Sequence, residues 1–186
     1  MSFFNQIIKI LTGSENSTNE IKTEPSVNIN REYKDFTNSY RIGILCYFES
    51  YESQNIIFNY KQKLEQLGFE CDALMFVDKM EKENNVLLPY FNWEDLDKKS
   101  KLPHSPKTDR VIVKKYDLML NLFFNDCKQL KYIAQMSQAK CRVGPNNHNL
   151  IPISDILIHN ENQNIQTLIT SINQILKIKP YERKPI

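Results

Sequence analysis

Apolar residues run almost without a break over positions 118–124, with only Asn121 interrupting them. Such a run suits a strand covered on both faces, as in a parallel sheet, whereas a strand with one wet face would alternate. A helical stripe follows at Leu130, Ile133, Ala134 and Ser137, with Asn125 and Asp126 placed to offer side-chain oxygens to the first amides of a helix that runs to Lys140. Cys141, Arg142 and Val143 then begin a short strand. Gly144 and Pro145 stop it, because proline neither donates to a ladder nor continues regular structure. This is the signature of a strand, a crossover helix and a parallel strand.

The pattern recurs on either side. Residues 41–48 form an apolar strand, and Ile56, Ile57, Tyr60, Leu64 and Leu67 form a helical stripe closed by Gly68, where a left-handed conformation is easiest. Residues 73–77 give a second strand. Residues 86–88 with Tyr90 and Phe91 give a third, which Pro89 marks as an edge. Residues 92–110 read as an irregular loop with one helical turn at 93–96. A last strand at 155–159 precedes an amphipathic helix through Ile165, Leu168, Ile169, Ile172, Ile175 and Leu176, ended by Pro180. The fold class is α/β: a three-layer, mainly parallel sheet of about five to six strands flanked by helices.

Ahead of this domain, Phe3, Phe4, Ile7, Ile8 and Leu11 share one helical face, and Gly13 can end the helix. Residues 1–13 are therefore expected to form an amphipathic helix, a candidate for self-association or for docking on a protein partner. Residues 14–39 are polar and aperiodic and read as a linker, 40–180 as a single domain and 181–186 as a tail.

Composition narrows the function. The 186 residues carry 24 basic and 22 acidic side chains, a formal charge of +2, so no global field calls for nucleic acid or an acidic membrane. The four cysteines, Cys46, Cys71, Cys127 and Cys141, are widely spaced and read as reduced, buried residues of a cytoplasmic protein. No run approaches the roughly 18 apolar residues of a membrane span. The first residues lack the charged start and cleavage site of a secretory signal, which argues against export.

Candidate chemistry is sparse. The four glycines make no phosphate-binding loop, and Glu49 and Glu52 would repel a pyrophosphate at the first strand-to-helix turn. No nucleotide or other cofactor, no metal site and no catalytic residues are expected. Ligands of such sheets sit beyond the strands' carboxyl ends, which gathers Glu49, Asp78, Asn125, Asp126, Asn146, Asn147 and His148. Cys127, at a helix start, invites comparison with thiols activated by the helix dipole. Lys128, Lys131, Lys140 and Arg142, with Tyr132 between them, offer a surface for an anion or RNA.

Residues 90–93, 116–122 and 130–134, followed by Ala139, Lys140, Cys141, Arg142, Val143 and Gly144, resemble an uncharacterised family of small Bacteroidota proteins over about residues 40–178. The resemblance implies a Rossmann-like domain of unknown function in a bacterial cytoplasm, and it brings no catalytic residues. The same stretch is similar in pattern to the acceptor-side domain of heptosyltransferase-like glycosyltransferases. Such enzymes hold the sugar nucleotide largely through a second Rossmann domain, for which this length leaves no room, so unaided glycosyl transfer is not expected. The leading expectation is a noncatalytic binding or protein-interaction module. The alternatives are a small enzyme or ligand sensor with a polar site at the strand ends, and an RNA- or ribonucleoprotein-associated protein.

Overall fold

The computed structural model describes residues 29–78 and 85–181. Six strands, β1 (Arg41–Tyr47), β2 (Glu70–Phe76), β3 (Tyr90–Phe91), β4 (Leu118–Leu122), β5 (Cys141–Pro145) and β6 (Ile156–Ile158), pair in the order β3-β2-β1-β4-β5-β6. Every pairing is parallel. The order belongs to the doubly wound class, with the direction of sheet growth reversing between β1 and β4.

Burial follows from the two-sided cover. On one face Ile42, Ile44, Leu118, Leu120 and Val143 pack under helices α1 (Tyr51–Gln66) and α4 (Ile165–Ile175). On the other, Leu45, Leu74, Phe76 and Met119 pack under α2 (Pro106–Val113), α3 (Lys128–Met136) and the 3-10 segment His148–Ile153. All five β4 residues are buried, as the apolar run predicts. Asn121 sits on the second face, where its amide nitrogen donates to the Ile153 carbonyl at 2.9 Å and its side chain lies against Ser154. A methyl group at Gly144 would come within 2.6 Å of Ser154 Oγ, so this contact needs glycine.

Several boundaries differ from the sequence expectation, each for a local reason. The expected irregular loop at 92–110 contains α2, an eight-residue helix capped by Ser105 and Thr108 reciprocally, with Pro106 as its first residue. Proline fits there because its missing N–H would have no helical partner. Residues 86–88 do not join β3, whose two residues lie at the sheet edge. Helix α3 stops at Met136 rather than Lys140, and its cap position is Cys127 instead of Asn125 or Asp126. In α4, Leu168, Ile169, Ile172 and Leu176 are buried, while Ile175 is half exposed. Gly68 ends the first helical stripe with φ +95°, as expected.

Residues 1–13 lie outside the described residues, as do 14–28. Of residues 29–39, part of the expected linker, Asp35, Phe36 and Ser39 are buried while Asn30, Glu32, Tyr33, Thr37 and Asn38 are exposed. Phe36 is 1% exposed, its N–H donates to the Leu176 carbonyl, and the Arg31 guanidinium donates to the Ala139 and Ser137 carbonyls.

Carboxylates fasten the amino ends of the strands. Asp117 accepts the backbone N–H groups of Tyr40 and Arg41 at 2.9 and 3.0 Å and meets Lys140 at 3.4 Å, tying the starts of β1, β4 and β5 together. Asp155 accepts the Arg142 backbone N–H and, through its two oxygens, the Nε and Nη2 groups along one edge of the guanidinium. Glu70 and Asp72 share Lys114, and Tyr116 also donates to Asp72. Burial pushes the Asp117 carboxyl upward, but the two amides and Lys140 outweigh it and hold the pKa below the usual carboxylate range.

Because that pKa is depressed on folding, the stabilisation is fully present above about pH 4 and is lost as pH falls through the folded-state value. Asp117→Asn is expected to cost roughly 1.5–3 kcal/mol near neutral pH, the worth of charged hydrogen bonds, and the deficit relative to the parent should shrink on acidification. Urea unfolding at pH 7 and pH 3 measures this. An equal deficit at both values would show that the charge is not what fastens the strands.

Candidate functional site

At the reversal between β1 and β4 the two chains leave the sheet toward opposite faces. β1 continues through Phe48 and Glu49 into α1, and β4 continues through Phe123 and Phe124 into α3. A cleft of about 550 Å³ opens there, lined by Tyr47, Phe48, Glu49, Ser50, Tyr51, Asp78 and Asn125. Ser50 caps α1 by accepting the Ser53 N–H, and Glu52 occupies the first turn, so the positive helix end beside the cleft already faces an oxygen and a carboxylate.

The walls are aromatic. Phe48 and Tyr51 meet edge to face with ring centroids 5.3 Å apart. Tyr47, a lining residue, packs on the buried Phe76 at a centroid distance of 6.1 Å, and outside the lining Phe91 and Trp93 pack on the same ring at 5.0 and 5.6 Å. Asp78 is anchored by this second group: Trp93 Nε1 donates to Oδ1 at 2.5 Å and the Tyr47 hydroxyl to Oδ2 at 3.4 Å. Desolvation, with Asp78, Cys127 and Glu49 nearby, pushes the Tyr47 hydroxyl pKa up. Partial desolvation likewise raises the Glu49 carboxyl. Among the described residues neither Glu49 nor Asp78 forms an ion pair.

Of the residues singled out in the sequence, Glu49, Asp78 and Asn125 meet in this cleft. Asp126, Asn146 and His148 are not in its lining. Asp126 is exposed and pairs with Lys131 at 2.9 Å, the Asn146 N–H donates to the Ile158 carbonyl, and His148 is exposed at the start of its 3-10 segment. Asn147 uses its side chain to bind the Phe124 carbonyl and the Asn149 N–H. The basic positions are largely neutralised: Lys131 by Asp126, Lys140 by Glu32 and Asp117, and Arg142 by Asp155. Lys128 is exposed.

Cys127 differs from the activated thiol its position suggests. It is buried, its thiol lies 3.5 Å from Gln129 Oε1, and desolvation pushes its pKa to about 11 despite backbone N–H groups of α3 that act in the other direction. Cys46, Cys71 and Cys141 are also free and buried, as expected. The described residues contain no group of three or more His, Cys, Asp or Glu arranged for a metal ion, and no described helix is long and apolar enough to cross a membrane. Sequence reasoning passed over Tyr47, Tyr51 and Trp93. The signal available was the run Tyr-Phe-Glu-Ser-Tyr at 47–51, which alternates rings with polar groups directly past a strand end.

A six-stranded parallel sheet in this order, with a cleft at its reversal point, defines a three-layer α/β Rossmann-like protein. The chain belongs to the family of unknown function DUF6913, whose model matches residues 14–178. No curated protein matches it. Among solved structures it is similar to E. coli heptosyltransferase WaaC with ADP, at a TM-score of 0.43 and 8% sequence identity, over 76% of this chain. The chain spans about half the length of that structure, covering 49% of it.

The Cys127 geometry predicts inertness. With a pKa near 11 and a buried thiol, less than about 1% is thiolate at pH 7.5, so iodoacetamide should leave Cys127 unmodified in the native protein and label it only on unfolding. Peptide mapping by mass spectrometry decides this. Rapid labelling of Cys127 in the native state would overturn the assignment.

Proposed function

We propose that this chain is a noncatalytic binding module that takes a small ligand in the cleft between the carboxyl ends of β1 and β4. The observation that carries the reading is the cleft itself. It lies where sheets of this topology admit ligands, it has aromatic walls, and its polar groups Glu49, Ser50, Asp78 and Asn125 converge on one space. The thiol beside it is buried and held protonated, which favours binding over nucleophilic chemistry.

One observation favours a second reading, a small enzyme using the same cleft. Desolvation raises the pKa of the Glu49 carboxyl, the direction that suits a general acid. The two readings share a site and differ in whether a bound ligand is turned over.

Thermal unfolding of the full chain against panels of amines, amino acids, sugars, nucleotides and divalent metals tests the proposal. A ligand at about 100 times its dissociation constant adds roughly 2.7 kcal/mol, several degrees for a domain of this size. The expected result is a shift confined to one chemical class and lost in Tyr51→Ala. A shift that survives both Tyr51→Ala and Asp78→Asn would place the ligand elsewhere.

A further inference from the structure

We propose that the cleft takes an organic cation, an ammonium or guanidinium group carried on a flat or apolar body, an inference that rests on reading the cleft as a ligand site.

The sign of the charge comes first. Among the described residues Glu49 and Asp78 are the charged ones in the lining, with no lysine or arginine beside them there. Of the bases on the first turn of α3, Lys131 is already held by Asp126 at 2.9 Å, and Lys128 is exposed and outside the lining. At the amino ends of the strands the fold behaves differently, since Asp72, Glu70, Asp117 and Asp155 each face a lysine or arginine. Among the described residues neither carboxylate of the cleft is given a lysine or arginine partner.

The walls fit the same ligand. Aromatic faces attract a cation within about 6 Å of a ring centroid, and that attraction strengthens when water is displaced. Tyr47, Phe48 and Tyr51 offer rings in the lining, and Trp93 stands behind Asp78. Trp93 Nε1 and the Tyr47 hydroxyl each donate to a different oxygen of Asp78, which fixes the carboxylate before any ligand arrives. An anionic ligand would meet Glu49 and Asp78 together. A neutral polyol could hydrogen-bond here but would leave both carboxylates without a counter-charge.

The test uses Trp93 as its reporter, because it is the only tryptophan in the chain. The full chain is titrated with phenethylamine and benzylguanidine, with neutral N-acetylphenethylamine, with anionic phenylpropionate and with methyl glucoside. The expected result is a saturable fluorescence change with both cations, weakened about tenfold or more by acetylation, by Asp78→Asn and by Glu49→Gln, and no saturable response to phenylpropionate. Circular dichroism of each variant separates lost binding from lost fold, and Glu49→Gln serves if Asp78→Asn does not fold. If the neutral compounds bind as well as the amine and Tyr51→Ala abolishes both, the cleft is a ligand site but the cation assignment is wrong. If amine binding is unchanged in Asp78→Asn, Glu49→Gln and Tyr51→Ala, both the assignment and the cleft reading fail. No response to either cation overturns the assignment.

Discussion

The parallel pairing of β1 with β4 is the constraint on which the rest of this structure depends. β2 and β3 extend the sheet from one side of the pair, β5 and β6 from the other. Both central strands are covered on two faces, so their side chains must be apolar in both directions, and the cost of desolvating their backbone is met by ladders on both edges. The same pairing creates the site. The chain leaves β1 toward one layer of helices and β4 toward the other, and the divergence leaves a space at the carboxyl ends that a single direction of winding would have filled.

Charge is distributed unevenly along the strand axis. At the amino ends, carboxylates are matched with backbone amides and basic side chains, which holds strand starts in register and neutralises the charge locally. At the carboxyl ends, Asp78 meets tyrosine and tryptophan groups instead, which orient a carboxylate without cancelling it. A fold optimised for stability alone gains little from two partly desolvated carboxylates facing one cleft. That difference is the physical basis for reading one end as scaffold and the other as site.

The elements legible in the sequence are those whose burial leaves a long periodic trace. β4 is an unbroken apolar run and α4 carries a full helical stripe, so both stand out. α2 does not, because eight residues contribute only Val111, Ile112 and Thr108 to the interior, and its leading proline reads as a breaker unless Ser105 is recognised as the cap. Asn121 reads as an interruption, whereas it clips the 3-10 segment to the sheet through a contact 32 residues away in the chain. The site was legible in the same uneven way. Glu49, Asp78 and Asn125 lie just past strand ends and could be gathered by topology, while the meeting of Tyr47, Asp78 and Trp93 depends on distances across three strands. Asp126 lies outside the cleft lining and pairs with Lys131, five residues on, a spacing that is not visible as a cap pattern.

The most direct test of the central claim is a crystal structure of the full chain soaked with a chemically diverse fragment library. The account predicts that fragments collect in the cleft lined by Tyr47, Glu49, Tyr51, Asp78 and Asn125. Fragments that instead collect between α1 and α4, around Ile56, Tyr60 and Ile169, and leave the strand-end cleft empty would contradict it.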